Sequence, residues 1–142
     1  MENTFENNKF KIIYFPLEKI VEFYMKDIEI EKADIIEMHT ITLLMTNGAK
    51  CANIFSAEDF FSISGEARAE GSKPFYSKDL IAQALVVKNM AQRLIGNFIM
   101  KFNKPVRETR MFAERKEAKR WIQGKIKIYE TKNKNKTNTV CV

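Results

Sequence analysis

Two periods alternate along this chain and divide it into nine segments. Residues 9–15 and 19–25 are short runs rich in Ile, Val, Phe and Tyr, separated by Pro16-Leu17-Glu18. Proline removes a ladder donor and fixes a turn, so the two runs read as strands of a hairpin. In the second run Ile20, Glu22 and Tyr24 alternate with Val21, Phe23 and Met25. One face is the more apolar, as in an antiparallel pair covered on one side. Across residues 31–45 the period lengthens. Ala33, Ile36, Thr40 and Leu43/Leu44 recur at three and four, with acids at the start and Asn47-Gly48 at the end. That spacing predicts a helix.

Residues 50–56 form the next strand segment. Ser64 stands before a short helical stretch, 65–70, which Gly71 and Pro74 bound. Leu80 to Val87 is almost wholly apolar, the mark of a parallel strand covered on both faces. Over 89–100, Met90, Leu94, Ile95, Phe98 and Ile99 make a helical stripe that Asn103-Lys104-Pro105 interrupts. A strand at 107–113 and a helix at 114–123 follow, the latter with Ala118, Trp121 and Ile122 on one face and Gly124 as its cap. Residues 125–129 alternate once more and suit a short extra strand. Strands alternating with helices imply right-handed crossovers and a largely parallel sheet, with the leading hairpin as an antiparallel edge. The expectation is one α/β domain over residues 1–123 and a disordered, basic, polar tail over 124–142.

The length of 142 residues and the 45% of apolar residues fit a single globular domain. The net charge of +6 is unevenly placed. Residues 115–142 hold nine Lys/Arg against Glu117 and Glu130, whereas 1–114 are nearly neutral. A nucleic-acid binder clusters its basic residues on a face of the folded body, so no specific nucleic-acid partner is expected. No stretch approaches the roughly 18 apolar residues of a membrane span. The N-terminal residues lack a secretory pattern, which points to the cytosol and to Cys51 and Cys141 as thiols. Cys51 reads as a small buried hydrophobe.

Little catalytic chemistry is visible. His39 is the single imidazole, so neither a zinc set nor a Ser-His or Cys-His pair is spaced in the sequence. The five glycines form no phosphate-binding turn. Neither a metal site nor a cofactor is expected, and the acid/base candidates, His39, Glu66 and Glu70, are isolated. Two other features carry a functional reading. Ser62-Ile63-Ser64-Gly65-Glu66-Ala67-Arg68 feeds a helix start, where free N–H groups favour an anion or a phosphorylated hydroxyl. The bland reading makes Ser64 a simple N-cap. The seven Met and eleven Phe, among them Met90, Phe98 and Phe102, suit a pliable core or a groove for an apolar ligand.

The chain resembles the STAS-like, or SpoIIAA-like, domains. The resemblance runs over about residues 9–123 and rests on Ser64-Gly65-Glu66-Ala67-Arg68, Ala84-Leu85-Val86-Val87, Leu94-Ile95-Gly96-Asn97-Phe98, Asn103-Lys104-Pro105, and Phe112 through Glu117-Ala118 to Trp121-Ile122. It implies a β-β-α-β-α-β-α-β-α order, with a mixed, mostly parallel sheet of four or five strands and helices mainly on one face. It also implies a non-enzymatic regulatory or protein-interaction module, with Ser64, Arg68 and Asn97 as binding residues. In partner-switching relatives a phosphorylated hydroxyl immediately precedes a Ser-Gly pair; here Ile63 holds that position. The hairpin edge suggests a homodimer. The alternative is a carrier of a small apolar or lipid-like ligand in a cleft between sheet and helices, lined by Met90, Phe98 and Phe102.

Overall fold

The computed structural model describes residues 3–140, with side chains through residue 135. The chain is α/β, built on a mixed sheet of mostly parallel strands and four helices. The strands are β1 (Thr4–Glu6), β2 (Phe10–Phe15), β3 (Ile20–Met25), β4 (Glu29–Ile30), β5 (Cys51–Ala57), β6 (Ser62–Ile63), β7 (Leu80–Val86) and β8 (Thr109–Phe112). The helices are α1 (Lys32–Thr46), α2 (Gly65–Gly71), α3 (Met90–Phe102) and α4 (Arg115–Val140), and a 3-10 turn, Pro74–Ser77, precedes β7. All nine expected segments occur. The sheet is larger than expected, with six strands in the order β1-β2-β3-β5-β7-β8, because β1 extends the hairpin edge. β4 and β6 form a separate two-stranded parallel pair.

The hairpin pairs Phe10 with Met25, Ile12 with Phe23 and Tyr14 with Val21, so these six side chains share one face. From β3 onward each new strand joins parallel to the last and on the same side of it. With right-handed crossovers, that order puts α1, α2 and α3 on one face. α4 follows the last strand and covers the other. The sheet therefore separates two cores. The first joins Phe10, Ile12, Val21 and Phe23 to Met38 and Met45 of α1 and Ala67 of α2. The second joins Ile20, Ala52, Ile54, Ala82 and Ala84 to Ala118, Ile122 and Ile126 of α4. Small alanines on β5 and β7 let α4 approach the strands closely.

Between β5 and β7 the register slips, with Cys51 opposite Leu80 but Asn53 opposite Gln83. Such a bulge places one extra residue on β7. Ile81 and Ala82 both pack toward α4, while Leu80 and Gln83 both turn to the opposite face.

Three expectations about the helices are corrected. In α1 the buried residues are Asp34, Met38, Met45 and Thr46, whereas Ile36 and Leu44 face solvent. Apolar residues occupy both sides of this helix, so periodicity does not choose between them. Buried Asp34 is satisfied instead: its carboxylate accepts from Glu31 N–H and Lys9 Nζ, each at 2.8 Å. In α3 the face turned inward carries Gln92 and Gly96, and the expected stripe is partly outside. Finally, α4 does not stop at residue 123, and 125–129 is no strand. Ile126 continues the face of Ile122 one turn further and is 6% exposed, so packing overrides the helix-weakening Gly124. The polar stretch from Glu130 to Val140, expected to lack regular structure, continues the same helix. Cys141 lies outside the described residues.

Candidate functional site

A cavity of about 280 Å³ lies between the sheet and the three helices on its first face. Val21, Phe23 and Met25 of β3 and Asn53 and Phe55 of β5 contribute to its floor, together with Leu80, Gln83 and Leu85 of β7. The bulge in β7 is what turns both Leu80 and Gln83 to this side. The roof comes from Met38, His39 and Thr42 of α1, Ala67 and Arg68 of α2, and Gln92, Ile95, Gly96 and Ile99 of α3. Its wall reaches solvent at Ala49, Gly71 and Val106, all exposed. An apolar cavity of roughly 150 Å³ already admits benzene. This one has room for a larger molecule.

The wall is mostly apolar, and polar atoms interrupt it. His39 Nε2, Arg68 Nε and Asn103 Oδ1 are buried and have no hydrogen-bond partner in the protein. All three residues line this cavity. A buried polar atom without a partner costs about 1–3 kcal/mol.

His39 is held by aromatic rings: Tyr76 meets it edge-on at 4.6 Å and Phe75 at 5.2 Å. Burial lowers its pKa below the ordinary 6.5, the charge of Lys78 lowers it further, and Asp79 opposes both. The imidazole is therefore neutral near pH 7. Tyr76 in turn donates its hydroxyl proton to buried Glu70. That bond pushes the tyrosine up to about 12. Lys73 and Tyr76 together hold the Glu70 carboxylate below its usual range. Glu70 and Tyr76 thus form a satisfied structural pair behind the histidine. Among the described residues no three His, Cys, Asp or Glu side chains group to hold a metal ion.

Ser64 caps α2, its Oγ accepting from Ala67 N–H at 3.1 Å, and it does not line the cavity. Ile63 does line it, and its carbonyl accepts from Arg68 Nη1 at 2.9 Å. Arg68 is the one expected binding residue that the cavity wall includes. Its guanidinium lies 4.5 Å over the Phe98 ring. Asn97 is exposed on α3, away from the lining. Met90, Phe98 and Phe102, expected to line the cleft, point outward instead. Together with Leu94 they form a ridge at intervals of four residues, each between 43% and 69% exposed. The helix turns its other side down because Gln92 anchors it there. The Gln92 side-chain amide donates to the carbonyls of Ala57 and Glu58 at 3.3 and 2.8 Å, and its Oε1 accepts from Lys88 N–H.

Sequence reasoning missed His39 as a lining residue, and it took Asn103 for a mere helix breaker. Cys51 sits at the cavity wall as a buried thiol, raised by burial. The basic residues of α4 are partly neutralised. Arg115 pairs with Glu22, Lys125 with Glu108 at 2.8 Å and Lys119 with Glu18 at 3.5 Å. No described helix is long and apolar enough to cross a membrane.

An α/β fold with a cavity between sheet and helices is the class this geometry defines. Residues 14–126 match the model of a domain of unknown function, DUF7793, and the chain belongs to that family. The matched segment starts in β2 and ends at Ile126, the last residue of α4 described as buried, so it takes in the second core and all of the first but Phe10 and Ile12 among its buried members. Searches of curated proteins and of solved structures returned no match.

Proposed function

We propose that the protein is a non-enzymatic binding module whose cavity takes a small apolar ligand between the sheet and helices α1–α3. The observation that carries this reading is the cavity itself, about 280 Å³ with Val21, Phe23, Leu85, Ile95 and Ile99 in its wall. Pockets of a few hundred Å³ lined mostly by apolar side chains, with a few polar groups, are the usual form of small-molecule sites. A ligand at about 100 times its Kd stabilises the fold by roughly 2.7 kcal/mol. Medium-chain alcohols should therefore raise the melting temperature of the native protein. Leu85→Trp, which fills the cavity from the sheet, should abolish that shift while leaving the circular dichroism spectrum unchanged. Native protein that is stabilised by no apolar probe, and retains no small molecule on purification from its host, overturns the reading.

The outward ridge of α3 favours a second role, a STAS-like regulatory module acting by contact with another chain. The order of the nine main elements and the single-sided crossovers support the STAS-like reading. We assign a second copy of the chain as the partner. Two ridges related by a two-fold axis cover each other, and such self-complementary contacts are the commonest in soluble oligomers. Leu94→Glu combined with Phe102→Glu should convert a dimer to a monomer in sedimentation velocity. A native protein that stays monomeric at high concentration rules the dimer out. A cytosolic location accords with Cys51 as a free thiol.

A further inference from the structure

We infer that the cavity selects a small aliphatic carboxylate, with the anionic end on Arg68. The inference rests on the cavity reading above and adds the chemistry of the head group. A guanidinium keeps its charge at any physiological pH. Among the described residues no carboxylate lies within ion-pairing distance of Arg68, although ten ion pairs form elsewhere in the chain. The group is also held in one orientation. Nη1 donates to the Ile63 carbonyl, and the plane rests 4.5 Å from the Phe98 ring centre.

What remains is the edge carrying Nε, which is buried and has no partner. The same chain shows how such an edge is used. Arg115 grips the Glu22 carboxylate through Nε and Nη2 together. Arg68 carries the same pair of donors on a residue that lines the apolar space, and a planar carboxylate would fit them bidentately once the side chain turns that edge to the cavity. The charge balance of the wall favours a monoanion. Arg68 is its only described cation, and the lining acid Asp79 already faces Lys50 Nζ at 3.5 Å. A phosphate dianion would bring a charge that nothing here offsets. The alkyl body would lie among Phe23, Leu85, Ile95 and Ile99.

Isothermal titration of the native protein with decanoate, decanol and decylamine at pH 7.5 tests this. Decanoate should bind about tenfold or more tightly than decanol, the scale expected of one charge-assisted hydrogen-bonded pair. Decylamine should bind more weakly than decanol. Arg68→Met should remove the preference for decanoate over decanol, and Arg68→Lys should restore part of it. Decanol binding as tightly as decanoate overturns the carboxylate inference but keeps the cavity reading, and that comparison needs no variant. Absence of binding by all three probes overturns both.

Discussion

His39 carries a pH dependence that follows from its surroundings. Burial, and then Lys78, hold its folded-state pKa below 6.5. Between the two values the unfolded chain takes up a proton that the folded chain refuses. Folding stability therefore declines as pH falls below about 6.5. His39→Gln should lack that decline, so urea midpoints of the two proteins at pH 7 and pH 5 should converge or cross. Parallel curves would discount the effect. Glu70 acts in a separate window. Its lowered pKa gives stability that is present above 4.5 and lost as pH falls through the folded value. Gln92 makes a different contribution, tying the start of α3 to the end of β5 through two carbonyls. Gln92→Leu should cost about 1–3 kcal/mol by denaturant titration, because buried carbonyls lose their donor. Gln92 shows why this site was hard to read from sequence. A polar side chain on an inward face looks like a surface residue until its partner is known, and that partner lies about 35 residues away along the chain.

Helices placed by tertiary contacts set the next level. Gly96 lets α3 lie against β8: a Cβ there would stand 2.5 Å from Met111 Sδ and 3.4 Å from Val87 Cγ1. Gly96→Leu should force the helix away and cost about 1–3 kcal/mol, as overpacked cores do. The same glycine, with Gln92, explains why the visible stripe of Met90, Leu94 and Phe98 misled. The two residues that fix the inner face carry no apolar signal. α4 has the opposite character, because its apolar positions extend past a glycine that looked like an end. Ile126→Ala should destabilise by about 2–5 kcal/mol, the range for large-to-small changes in a core. Removal of residues 132–142 should shift the urea midpoint little, because no buried core residue is described beyond Ile126. A large loss from that deletion would show that the distal helix packs against something.

Across the whole molecule the order of strands and helices was legible, and the packing was only partly so. Alternating periods gave the nine main elements, since each is long enough to show its own repeat. The two-residue strands β4 and β6 are too short to carry one, and the bulge in β7 sits inside a continuous apolar run. That bulge turns Gln83 into the cavity, and nothing in the run from Leu80 to Val87 announces it. The two faces of the sheet also differ in kind. On one, α4 meets a floor of alanines and isoleucines in close contact. On the other, α3 spans the cavity, pinned near its start by Gln92 and at its middle by Gly96. Side chains over a void have fewer dispersion partners, so the segment they belong to opens at a lower free energy. In hydrogen-exchange terms, the amides from Ile95 to Phe102 should trade with deuterium well before those of β5, which pairs with a strand on each side. If the cavity takes a guest as proposed, the rate of that opening would also limit how fast the guest enters and leaves.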